Sequence, residues 1–302
     1  MTEGPAIRLD AATALSRGGR ALQEDAVLGA AVGATGAIAL ADGCGGHARG
    51  DLASNIAADV ALRALARAEG SPAERLREAA EAANLAVYAR AQGDPELEGM
   101  STTLLVVSVE AGGLHWVSVG DSPLWLMREG RLERLNATHS LARQLDLLVE
   151  MGEMSAAEAA GHPARACLTS ALGGETIEEI DCPDAPVPLW PGDVILAASD
   201  GLLTLDEAAI ESLLGGTKGE VAATALAERL LAAVDAEGVE GQDNASVAVL
   251  RVEEAPAEPA RTGRLGAAGT GALVAGLRRR AIAALAAAIG AGSSSDGSRA
   301  AR

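Results

Sequence analysis

The chain has 302 residues, 49% of them hydrophobic and 1% aromatic, with no Phe and a formal net charge of -18. That length and apolar content support one large domain or two small ones with a real core, and they exclude disorder throughout. The acidic balance repels phosphate backbones and speaks against a nucleic-acid partner. Three cysteines without paired spacing, Cys44, Cys167 and Cys182, speak against a disulfide framework or a zinc module.

The N-terminal MTEGPAIRLD lacks a basic start and an apolar run, so no signal peptide is expected. No uncharged apolar stretch of about 20 residues occurs, and the nearest, 265–290, is broken by Arg278-Arg279-Arg280. These features predict a soluble cytoplasmic protein without a transmembrane segment. Asp25–Val32 and Ala37–Ala41 are apolar runs bounded by Gly and read as strands. Asp51–Ala68 carries Leu52, Ile56 and Val60 at fourfold spacing, which predicts an amphipathic helix. Ser71-Pro72-Ala73-Glu74 opens a second helix, with Ser as cap, Pro at the first helical position and an acid in the first turn. Strands are expected over Thr102–Val109, Leu114–Val119 and Leu124–Arg128, joined by short turns that favour antiparallel pairing. Ser140–Gly161 reads as helical with a break at Gly152. Asp193–Ala198 reads as a buried strand, Leu226, Leu230 and Val234 mark another helix, and Val247–Val252 is a closing strand. Strand groups interrupted by helix pairs imply sheets covered by helices, an α+β class. With so few aromatics, the core must be built from Ala, Val, Leu and Ile.

Composition changes after Val252. The expected division is a catalytic domain over 1–253 and a Pro-, Ala-, Gly- and Arg-rich tail over 254–302. Residues 255–302 hold seven Arg against two acids, a net +5, which leaves -23 on residues 1–254. The tail reads as a flexible segment, or as one that docks on the acidic body, a membrane surface or a partner.

The acids carry the chemistry. Arg20-Ala21-Leu22-Gln23-Glu24-Asp25, Asp42-Gly43-Cys44-Gly45-Gly46-His47, Gly120-Asp121-Ser122, Ser199-Asp200-Gly201 and Asp243-Asn244 each set an acid beside a turn-forming or small residue at the edge of an apolar run. One Asp-Gly is ordinarily only a turn. Five such segments predict a carboxylate-lined site for hard divalent cations, magnesium or manganese, because no His or thiolate set accompanies them.

In this order the segments, with Ser101–Thr103 and His162–Gly173, resemble the bacterial PPM-type, or 2C-type, metal-dependent serine/threonine protein phosphatases over about residues 7–252. The resemblance implies a four-layer α-β-β-α sandwich with two mostly antiparallel sheets. It also implies two core Mn2+ or Mg2+ ions and a weaker third site. Asp42 would bridge the metals and Gly43 would offer its carbonyl. Asp200 and Asp243 would hold the first metal, Glu24 would act on the second, and Asp25 would support that shell. Asp121 with Asp200 would make the third site, although Asp121 also reads as a hairpin-turn residue. Arg20 would grip the substrate phosphate, and His47 would resemble the general acid. The implied activity is hydrolysis of phosphoserine and phosphothreonine in proteins, opposite a serine/threonine kinase. The alternatives are a phosphatase dedicated to one regulator, such as an anti-sigma-factor antagonist, or a degenerate phosphatase fold that only binds. The chain departs from the family pattern at four places: Gln23 for Asn, Cys44 for Met, Pro123 for the Arg after Gly-Asp-Ser, and Ser170 for an Arg.

Overall fold

The computed structural model describes residues 6–44, 49–215 and 221–256. Two antiparallel sheets lie face to face between two helical layers. The strands of one sheet, in spatial order, are β1 (Ile7–Ser16), β11 (Ala245–Glu254), β10 (Val194–Ala198), β7 (Leu124–Arg128) and β8 (Arg131–Arg134). The second sheet runs β2 (Asp25–Val32), β3 (Thr35–Cys44), β5 (Leu104–Glu110), β6 (Gly113–Val119) and β9 (Val187–Pro188), with β4 (Ser101–Thr102) on the end of β3. Helices α1 (Gly50–Arg67) and α2 (Pro72–Ala91) cover the second sheet, and α5 (Glu207–Gly215) and α6 (Ala223–Glu237) cover the first. The expected α+β sandwich is the observed one.

Strand periodicity generates the layers. Ala37, Ala39 and Ala41 of β3 face α1 and α2, while Ile38 and Leu40 face the other sheet. Likewise Val247 and Val249 of β11 face α5 and α6, while Ala248 and Leu250 point between the sheets. Successive side chains of a strand point to opposite faces. Strands covered on both faces therefore read as continuous apolar runs, which is why Ala37–Ala41 and Asp193–Ala198 were legible. The helix starts also follow the sequence. Ser71 and Glu74 form the reciprocal capping box of α2, with Pro72 at the first position.

One expectation is corrected. Thr102–Val109 is not one strand, because Thr103 interrupts it: its N–H donates to the Asp42 carbonyl (2.8 Å), and its Oγ1 accepts from the Asp42 N–H (2.9 Å). The expected break at Gly152, whose φ of 75° favours glycine, divides Ser140–Gly161 into α3 (Leu141–Glu150) and the short α4 (Ala156–Ala160). Strands β1 and β8 and helix α5 were not anticipated. In β1 the alanines at 11, 12 and 14 blur the alternation that Ile7 and Leu9 begin. The tail from residue 257, and His47, lie outside the described residues.

Candidate active site

The two sheets meet at one end through their acids. Asp25 opens β2 and stands opposite Asp42 on β3. Asp200 follows β10 at the start of a 3-10 turn, and Asp243 lies just before β11. Asp121 sits in the turn between β6 and β7. The structure therefore brings Asp25, Asp42, Asp121, Asp200 and Asp243 to one region, as their mutual electrostatic influence records.

Backbone contacts fix the approach. Gly43 N–H donates to the Glu24 carbonyl (3.1 Å). A Cβ on Gly43 would stand 2.2 Å from the Gly50 carbonyl, and one on Gly50 would stand 2.8 Å from the Glu24 carboxylate. Only glycines let the end of β3, the start of α1 and Glu24 come this close. Gln23 accepts from the Asp25 N–H (2.9 Å) and donates to the Ser16 carbonyl (3.1 Å), so this departure keeps the motif in shape.

Several partners were missed in the sequence. Asp25 is 4% exposed, and its carboxylate accepts from Ser199 (2.7 Å) and Ser246 (2.6 Å) of the other sheet. Asn244 accepts from the Glu24 N–H (2.7 Å) and donates to the carbonyls of Arg17 (2.9 Å) and Leu22 (3.0 Å). It thus ties the Arg20 loop to β11. Its adjacency to Asp243 was the only available signal.

Burial dominates the electrostatics. It pushes Asp25 up to about 6, against the Ser246 and Ser199 hydrogen bonds and with help from Asp200 and Asp243. Burial, then the Asp200 charge, pushes Asp121 up to about 6. Burial, with Asp25, Asp200 and Asp121, holds Asp42 well above the usual carboxylate range, and burial with Asp243 raises Asp200. The contact between Asp42 and Asp200 raises the first and lowers the second. Burial also pushes the Cys44 thiol up, which opposes thiolate formation.

Carboxylate donors brought to one end of the two sheets have the chemistry that suits a hard divalent cation. A cation would supply the positive charge that the acids lack, and carboxylate oxygens suit magnesium or manganese. Among the described residues, no three His, Cys, Asp or Glu side chains are already gathered as a coordination sphere. Two of the acids have other partners: Asp25 the two serines, and Asp243 both Arg20 (2.6 Å) and the Asn244 N–H (2.8 Å). A carboxylate has about four lone-pair sites, so Asp243 keeps capacity for a cation. Arg20 was expected to grip phosphate; here its guanidinium pairs with Asp243.

The other departures also find roles. With Pro123 after Ser122, a basic group comes instead from β8: Arg134 donates to the Asp121 carbonyl (2.9 Å). Ser170 accepts from the Glu179 N–H and donates to the Glu179 carbonyl, both at 2.9 Å, and closes the 170–179 loop. His139 accepts from the Gly120 N–H (3.2 Å). A groove of about 1250 Å³ leads outward from Arg20, Asp121, Asp200 and Asp243, with α3 and Leu203 among its walls.

The raised carboxyls predict a pH dependence. An acid with a folded-state pKa above its unfolded value holds its proton longer in the fold, so stability falls as pH rises through that interval. For Asp25 and Asp121 the interval runs from 3.8 to about 6. Each contributes at most about 3 kcal/mol across it. In EDTA, the melting temperature should decline from pH 4.5 to 7, and Asp121→Asn should flatten the slope. An unchanged slope in the variant would contradict the assignment.

The model of the family described as protein phosphatase 2C matches residues 16–202. The serine/threonine protein phosphatase PstP of Mycobacterium tuberculosis is 34% identical over 184 residues, covering 58% of this chain and 34% of that protein. The match thus spans about a third of the relative's length. The serine/threonine phosphatase stp of Listeria welshimeri is 32% identical over 173 residues, covering 56% of this chain and 67% of that one. The crystal structure of the PstP catalytic domain in complex with two manganese ions covers 82% of this chain and 99% of its own, at 32% identity and a TM-score of 0.65. The ordered acidic segments, the paired antiparallel sheets and the matched family model agree: this chain belongs to the protein phosphatase 2C family.

Proposed function

We propose that this protein hydrolyses phosphoserine and phosphothreonine in proteins, with manganese or magnesium held by Asp42, Asp200 and Asp243, by Glu24 and the Gly43 carbonyl, and by Asp121 at an outer site. The observation that carries the reading is the convergence of acids from both sheets at the head of the groove. Bound cations supply an acidified water and screen charge on the phosphoryl oxygens.

The protein's own part is positioning. Asp25 is locked by Ser199 and Ser246, and so fixes the strand end that carries Asp42. Arg20 lies at the rim, where a guanidinium can take a phosphate bidentately. His47 would protonate the leaving alkoxide, since an imidazole has a suitable pKa. The groove exceeds the roughly 300–1,000 Å³ of ordinary small-molecule pockets, which favours a polypeptide around the phosphorylated side chain. A serine/threonine kinase is the corresponding source of substrate, and the cytoplasm the corresponding compartment. No helix among the described residues is long and apolar enough to cross a membrane.

The test is hydrolysis of p-nitrophenyl phosphate and of a phosphothreonine peptide with manganese and with EDTA. Both should be cleaved only with manganese. Arg20→Ala should raise KM about tenfold, the scale of one charge-assisted phosphate contact. Manganese-independent turnover, or no turnover of either substrate by folded protein, would sink the reading.

A further inference from the structure

On the outer face of α2, away from the acids, lies a second groove of about 360 Å³. Leu85, Tyr88, Ile177 and Ile180 line it, with Glu81 and Glu175 beside them. Leu85 is 65% exposed, the highest value among the exposed large hydrophobic side chains described, and Ile180 is 37% exposed. No Lys or Arg lines the groove. An apolar floor with uncompensated acids repels anionic ligands and suits aliphatic side chains that alternate with cations.

The groove's outer wall is a braced loop. Asn84 of α2 donates to the Gly174 carbonyl (3.0 Å) and accepts from the Gly173 N–H (2.8 Å). Ser170 pins the loop's other end to Glu179. Thr169 and Glu179 also line the large groove beside the acids. The same loop therefore forms a wall of both grooves.

The chain itself contains a sequence of the matching chemistry. Residues 273–289 place Leu273, Leu277, Ile282, Leu285 and Ile289 around Arg278-Arg279-Arg280, its only run of three consecutive cations. The segment belongs to a net-positive tail on a body of net charge -23. The stretch between Pro256 and Leu273 spans up to roughly 60 Å when extended. A domain of this size is about 45 Å across, so the groove is within reach.

We propose that residues 273–289 dock intramolecularly in the groove formed by Leu85, Tyr88, Ile177 and Ile180, with the arginines against Glu81 and Glu175. This docking surface is separate from the phosphatase reading and testable without turnover.

The measurement is hydrogen exchange of the full chain, read on peptides that cover 273–289. These amides should exchange about tenfold or more slowly than their intrinsic rate. The protection should vanish in Leu85→Lys and weaken in Glu81→Lys. Both positions are exposed, so the melting temperature should hold. Salt near 0.5 M should also weaken the protection. Intrinsic-rate exchange in the parent protein overturns the proposal, as does protection that survives in Leu85→Lys. Protection that rises with protein concentration assigns the groove to a second copy and overturns intramolecular docking. Protection that appears only with phosphatidylglycerol vesicles assigns the segment to a membrane surface and likewise overturns it.

Discussion

Asp42→Asn should lower kcat by about 10³-fold or more while the metal-free fold remains as stable as the parent. A 10³-fold loss corresponds to roughly 4 kcal/mol of transition-state stabilisation. The reason is the double position of Asp42. It stands opposite Asp25 across the β2–β3 pair and is hydrogen-bonded to Asp200 of the other sheet. An Asn amide can donate to Asp200 across the same contact. The substitution therefore keeps the hydrogen bond and removes only the latent charge. Asn cannot supply the negative charge that a cation needs from this position. Melting curves in EDTA should superpose within a few degrees. Manganese should raise the melting temperature of the parent and leave the variant nearly unmoved. Retention of more than a tenth of the parent turnover, or a full manganese shift in the variant, would remove Asp42 from the metal site.

Gly201→Ala should be the most damaging small substitution in the body. A Cβ there would lie 1.9 Å from the Asn244 carbonyl oxygen and 2.8 Å from its carbon. Both obstacles are main chain, and Asn244 is anchored to Arg17, Leu22 and Glu24. Relief must come by parting the Asp200 turn from β11, the two segments that present Asp200 and Asp243. Overpacking ordinarily costs about 1–3 kcal/mol, and a clash with anchored backbone belongs at or above the upper end. The denaturant midpoint should fall accordingly, and manganese affinity with it. Gly161→Ala is the control: its φ of -88° suits any residue, and its nearest contact would be 3.4 Å. Equal midpoints for the two variants would contradict the close approach at Gly201.

Much of this was legible because each signal was local. The strand ends announced themselves by an acid beside glycine or another turn-forming residue, as in Asp42-Gly43 and Asp200-Gly201, and Ser71-Pro72-Ala73-Glu74 marked a helix start. The unread parts depend on distance along the chain. Ser199 and Ser246 are ordinary small residues until the fold places both on Asp25, 174 and 221 positions away. Thr103 looks like one more β-branched strand residue, yet its hydroxyl also meets Ser122 (2.9 Å), which ties the Asp42 strand to the turn after Asp121. Arg134 carried no sequence signal, because its reach to the Asp121 carbonyl depends on the β7–β8 hairpin. Strand β1 was hidden by alanine, which belongs to no single periodicity.

Alanine also sets a mechanical property. Ala53, Ala57, Ala58 and Ala61 of α1 are wholly buried in the cluster that holds Ala37, Ala39 and Ala41 of β3. Methyl groups on both sides hold helix and sheet at a short, nearly incompressible spacing. The first residue of that helix is Gly50, wedged against Gly43 and Glu24. The alanine seat thus works as a spacer gauge for the acidic end of the molecule. A thicker side chain anywhere along it would tilt the helix and be felt as altered cation affinity, so inherited variation in this bland interface can tune the acidic end without touching any of its carboxylates.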